Sequence, residues 1–285
     1  MTTRLIASTA LALCLAASAA AARPAVVALA PAASPEMRRD IAERTAFYLA
    51  RTVEPGESAE LLDASTGDVL ATFSVPDRAV YAAERAKLKA NPTAMRALKV
   101  YMSTDPMPDV HEGAIDLPGL LRAIGERNPA DTTTDLVSWG SPVHHDPRMP
   151  AFSMQDARVP GDGHFSRSRA ETPYAAAGES GRLTNYRLHF GRLGDDPAVN
   201  EAHGYFLEQY LGKSVAARGG VLVSYESDPK TLYRIASGSV TAPTNHYVVE
   251  RTDKLEMMAF GTSAPAVTPE RSRPIHERSV TDARP

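Results

Sequence analysis

The chain has 285 residues, of which 43% are hydrophobic and 23% charged, with 31 basic against 34 acidic side chains and a formal net charge of −3. This is the balance of a soluble globular protein. It lacks the basic footprint of a nucleic-acid-binding surface and the polybasic cluster of a membrane-contact segment.

Residues 1–22 carry Arg4, then an apolar stretch rich in Leu and Ala, then small residues ahead of Arg23-Pro24. A positive start, a short apolar core and an A-x-A-type exit predict a cleaved secretory signal, and with it a secreted or periplasmic protein. The apolar core is shorter than the about 20 residues that span a bilayer, and no later segment is long or apolar enough. Cys14 is the only cysteine and lies inside that core, preceded by Leu13 rather than by the small residue that lipid attachment requires. The mature chain then holds no thiol, so neither a disulfide nor a thiolate metal site is open to it.

Residues 26–29 form a short apolar run suited to a buried strand. Ser34-Pro35 follows as an N-cap with proline at the first helical position, and Met37, Ile41, Tyr48 and Val53 recur on one helical face until Pro55-Gly56. Residues 59–63 and 69–75 flank Ser65-Thr66-Gly67-Asp68 and read as two antiparallel strands. A helical region over 78–102 is interrupted at Asn91-Pro92. Asp116 caps a short helix that buries Leu117, Leu120, Leu121 and Ile124. Residues 136–139 are a fourth strand, followed over 140–179 by a long loop of the kind that tends to be functional or mobile.

Strand-like alternation returns at 183–190. Asp196-Pro197 opens a helix carrying Val199, Ala202, Phe206 and Tyr210 inward, Gly219-Gly220 ends it, and 221–225 is a sixth strand. Strands alternating with helices predict an α/β fold: a doubly wound, mostly parallel six-stranded sheet with one antiparallel edge strand, over residues 23–237. An extension over 238–260 is read as a hairpin pairing 246–250 with 255–260. The proline-rich stretch 261–285 is read as a disordered tail.

This order of elements resembles a von Willebrand factor type A-like domain. Trp139-Gly140-Ser141-Pro142, Phe152-Ser153-Met154, Val159-Pro160-Gly161-Asp162-Gly163-His164 and Gly219-Gly220-Val221-Leu222-Val223-Ser224 are similar to segments of an exported bacterial subgroup of that fold. Typical members hold a divalent cation on a D-x-S-x-S motif after the first strand, completed by a threonine and an aspartate from later loops. Hard cations want clustered oxygen ligands with carboxylate charge. Here residues 28–34 offer only the Ser34 hydroxyl, Asp116 stands near the family threonine and Ser141 near its aspartate. The resemblance therefore implies a degenerate metal site, no cofactor, and a protein-binding module with another envelope or extracellular protein as partner. Asp63-Ala64-Ser65-Thr66-Gly67 mimics the motif but follows the second strand, where Asp, Ser and Gly serve a turn.

The chemistry-bearing residues cluster in the long loop: His144, His145 and Asp146, with Asp162 and His164 beyond. Histidine and carboxylate ligate zinc or manganese and activate water, so a metal-dependent hydrolase or phosphoesterase is the alternative function. In an open α/β sheet, ligands bind at the carboxyl ends of the strands. Ser34, Ser141, His144, Asp195 and Asp228 all follow predicted strands there, and with Asp116 and the loop residues they define the candidate binding face. No G-x-S-x-G elbow, phosphate-binding loop or dinucleotide fingerprint is present.

Overall fold

The computed structural model of the chain describes residues 24–30, 34–104, 115–127, 132–193, 198–242 and 245–261. The predicted signal over 1–22, Asp195 and the tail beyond Gly261 lie outside these residues. Among the described residues, no helix is long and apolar enough to cross a membrane.

β1 (Ala25–Leu29) is buried along its whole length. A strand that is apolar on both faces belongs at the centre of a parallel sheet covered on both sides, and β1 sits there, parallel to β2 (Ser58–Asp63) on one flank and to β4 (Thr134–Gly140) on the other. β2 turns into the antiparallel edge strand β3 (Val69–Ser74). Beyond β4 come β6 (Tyr186–Arg192) and β7 (Val221–Glu226), both parallel. The order β3-β2-β1-β4-β6-β7 is the doubly wound, six-stranded α/β sheet with one reversed edge strand that the element pattern predicts. The winding order reverses between β1 and β4, which run parallel, and this switch point creates the crevice where such sheets take ligands.

Polar side chains cap α1 and α4, and proline opens α3. Ser34 Oγ accepts the Met37 N–H at 3.3 Å at the head of α1 (Pro35–Thr52). Asn91 ends α2 (Glu84–Ala90), and Pro92 opens α3 (Pro92–Ser103), so the break falls at the residues that cannot continue a helix. Asp116 caps α4 (Leu117–Glu126) through the Gly119 N–H. α1 packs with α2, α3 and α6 (Pro229–Ala236) as one helical layer. α4, the segment after β4 and α5 (Glu201–Ala216) cover the other face.

The core runs through the sheet centre, where Trp139 is fully buried. Its indole lies under Arg44 of α1 and 6.0 Å from the Tyr233 ring of α6. Gly191 on β6 makes the room: a Cβ there would come within 1.9 Å of the indole.

Three details differ from the sequence reading. The predicted hairpin of 246–250 with 255–260 does not form. Instead β8 (Met257–Ala259) pairs antiparallel with β5 (Arg158–Pro160), a short strand inside the long loop, as a separate two-stranded sheet. Residues 246–250 are engaged elsewhere: the Tyr247 ring lies on Gly212 of α5, and the Glu250 N–H donates to Asp162 at 2.7 Å. α5 begins at Glu201 under an Asn200 cap and buries His203, Leu207 and Tyr210, whereas Val199 and Ala202 are exposed. The one-turn shift follows from Asn200, whose amide oxygen holds the His203 N–H at 2.8 Å. α6 has no counterpart in the sequence reading, because its apolar face is only two turns long.

Candidate functional site

The parallel strands end together, so their C-terminal residues share one edge of the sheet. At the end of β1, Ala30 is fully buried and its carbonyl accepts the Tyr101 hydroxyl of α3 at 2.7 Å. Residues 28–34 contain no Asp or Glu, and Ser34 Oγ is committed to its cap. At the end of β4, Ser141 Oγ is buried and accepts the Val143 N–H at 3.3 Å, while its carbonyl accepts the Ile115 N–H at 3.3 Å. That backbone bond brings Asp116 alongside β4, and Asp116 Oδ1 stands 3.4 Å from His144 Nδ1.

Among the described residues, Asp116 and His144 are the one pair of predicted site residues that the structure places in contact. Burial works against ionisation of Asp116, but the hydrogen bond and charge of His144, the Gly119 N–H and Arg122 outweigh it and hold the carboxyl below its ordinary value. His144 is buried edge-on against Tyr174, with ring centroids 5.3 Å apart, and its Nε2 has no hydrogen-bond partner. Among the described residues, no nucleophilic side chain is bonded to the free nitrogen of His144.

The other loop residues are separated by partners of their own. His145 Nδ1 meets Ser153 Oγ at 2.9 Å, and Asp146 pairs with the exposed Arg148, which lowers its pKa. Asp162 is held by Lys213 of α5 at 2.8 Å. His164 is buried between Thr172 Oγ1 (2.8 Å) and the Glu256 carbonyl (3.1 Å). Asp228 caps α6. Among the described residues, no three His, Cys, Asp or Glu side chains gather as a metal ligand set. The long loop is also not an open surface: Val143, Met154, Val159, Phe165 and Tyr174 belong to the core. It fills the place of a crossover helix between β4 and β6, which is why its apolar residues turn inward.

Asp63-Ala64-Ser65 forms the expected turn, with Asp63 Oδ1 accepting from both the Ser65 N–H (2.7 Å) and its hydroxyl (2.5 Å). Beside this turn, at the C-terminal end of β2, opens a groove of about 460 Å³ walled by Leu70, Ala97, Val100 and Tyr101. Leu70 is 41% exposed and Val100 58%. Arg96 stands on the same wall with no acidic partner among the described residues, while Asp63 is satisfied within its turn. The sequence reading did not anticipate this groove. Its signal was the spacing of Thr93, Arg96, Ala97 and Val100 along one face of α3.

A second unanticipated cluster is internal. Ser224 Oγ lies 3.0 Å from His189 Nδ1, and His189 Nε2 lies 3.3 Å from Asp135 Oδ1, with Arg187 Nε 3.6 Å from the same carboxylate. These are the residue types of a hydrolytic triad. His189 is fully buried and Asp135 and Ser224 nearly so, so the row cross-links β4, β6 and β7 and offers no room for a substrate.

The class defined by this fold is a doubly wound α/β protein with an open groove at the carboxyl edge of its sheet. No family model matches the chain, and no curated protein matches it.

Proposed function

We propose that the protein is an exported, von Willebrand factor type A-like binding module whose metal-dependent adhesion site has degenerated. It captures another envelope or extracellular protein at the carboxyl edge of the sheet without a cation. The observation that carries this reading is the edge itself: a β1 terminus with no acidic side chain, beside an open groove with exposed Leu70 and Val100. Exposed apolar surface of this kind is costly to leave uncovered and marks contact sites. The complementary partner is a protein segment that offers apolar side chains to Leu70 and Val100 and a carboxylate to Arg96. The lone Asp116–His144 pair and the scattered loop residues give little support to a metal-dependent hydrolase.

Affinity capture from envelope extract tests the proposal. A partner retained at fixed stoichiometry by the native chain and by Asp116→Asn, with or without chelator, is expected to be lost from Leu70→Asp/Val100→Asp. Retention by the groove variant, or capture that requires a divalent cation, would overturn it.

A further inference from the structure

On the helical layer of α1, α2 and α6, away from the groove, lies a concave pocket of about 520 Å³. The C-terminal turn of α1 contributes Arg51, and α2 contributes Lys87 and Glu84. Glu54 follows α1, and one side of α6 presents Lys230 and Arg234. Two of the cations are matched: Arg51 Nε is 3.0 Å from Glu84, and Lys87 Nζ is 3.4 Å from Glu54. Four cations less two carboxylates leave a residual charge of +2 in one concavity.

That residue of charge belongs to Lys230 and Arg234. They are exposed, four apart on α6, and neither has an ion-pair partner among the described residues. Like charges at this spacing destabilise a helix, so they are an unfavourable pair unless something neutralises them. The acidic residue next to them in sequence does not do so. Asp228 accepts from Thr231 Oγ1 (2.7 Å), the Thr231 N–H (3.0 Å) and the Lys230 N–H (3.2 Å), as the cap of α6. Its carboxyl is held below the ordinary value by Thr231 first, with the Lys230 charge a lesser cause. Lys87 points the same way: its side chain is only 2% exposed, and its one carboxylate neighbour, Glu54, is 58% exposed. That buried ammonium adds its charge to the same concavity.

We propose that this pocket is an anion site for a phosphate monoester. A phosphomonoester carries a charge of roughly −1.5 to −2 at neutral pH, which matches the unneutralised pair. The Arg234 guanidinium provides a planar fork for two phosphate oxygens and Lys230 a point charge. Ser239 Oγ, 2.9 Å from Ser237 Oγ, places a hydroxyl at the rim. The cavity is larger than a bare phosphate needs and leaves Tyr233 and Ala82 as walls for the esterified group. The ester is either a soluble metabolite or the headgroup of a phospholipid such as phosphatidic acid, which offers the same dianion.

Isothermal titration of the whole chain with glycerol 3-phosphate, with inorganic phosphate and with uncharged glycerol tests the site. Co-sedimentation with phosphatidic acid vesicles and with phosphatidylcholine vesicles separates the two sources. Saturable binding of the phosphate compounds or of the phosphatidic acid vesicles, but not of the neutral controls, is expected. Lys230→Gln/Arg234→Gln should weaken it at least about tenfold, and Lys230→Arg should retain it. Arg85→Gln/Lys89→Gln removes the same charge from α2 outside the pocket and should leave binding unchanged. Equal loss in that control, unchanged binding in the α6 variant, or no saturable binding in either arm would overturn the site.

Discussion

His164 shows how one side chain in an irregular segment becomes structural. Burial holds its imidazole below the ordinary histidine value, opposed in part by the hydrogen bond to the Glu256 carbonyl. The folded pKa is therefore lower than the unfolded one, and as pH falls the unfolded chain takes up its proton first. Stability from this group is complete above about pH 6.5 and drains away as pH falls towards the folded pKa. The urea midpoint of the native chain should drop between about pH 7.5 and about pH 5.5, and His164→Gln should flatten that drop while lowering the midpoint at the higher pH. A pH dependence identical in the two proteins would show that His164 does not titrate between the states. The same residue shows the limit of reading side chains from composition. In a polar loop a histidine suggests a ligand, yet here Thr172 and the Glu256 backbone, 8 and 92 residues away, consume both ring nitrogens.

The elements divide by the range of the forces that shape them. Ser34-Pro35, Asn91-Pro92 and Asp116 announce helix boundaries because a cap is settled within four residues. The all-apolar β1 and the Leu136-Val137 run of β4 announce a buried sheet for a similar reason. The pairing of β5 with β8 could not be foreseen from three-residue segments a hundred positions apart. The entry to β5 is also unmarked: Asp156 and Ala157 both adopt left-handed backbone (φ 59° and 55°), which alanine does not favour. That pairing forms a strap in which Gly163 passes directly under the Lys254 carbonyl, where a Cβ would lie 2.2 Å from the oxygen. Gly163→Ala should therefore cost about 1–3 kcal/mol through overpacking against backbone. Hydrogen exchange should accelerate over 245–261 and in β5 while the central sheet stays protected. Unchanged protection of the strap would show that it gives way freely.

For the whole molecule, the doubly wound order was legible because alternating strands and helices admit few right-handed arrangements. The carboxyl edge of the sheet was legible as a place, and the partners of its side chains were not. Of the side chains expected to converge, Ser34, Asp116 and Asp228 are occupied by capping and His145, Asp146, Asp162 and His164 by other partners, whereas the groove arises from the packing of α3 beside the β2–β3 turn, a tertiary relation. Stability resting on a thiol-free apolar core should be indifferent to metal. Chelator, or millimolar magnesium, calcium or manganese, should shift the thermal midpoint by no more than about 1 °C, since a ligand that binds only the folded state would raise it. A rise of several degrees with one cation would restore the metal-dependent reading.

Trp139 is the single tryptophan of the chain, enclosed at the centre of the sheet and 6.0 Å from Tyr233, whose opposite surroundings include the cationic pocket. Tryptophan emission from this protein, excited above the tyrosine absorption band, consequently originates at one known position. It reports collapse of the sheet as a red shift, and Tyr233 links the same fluorophore to events on the outer face of α6, so both can be followed without attaching a dye.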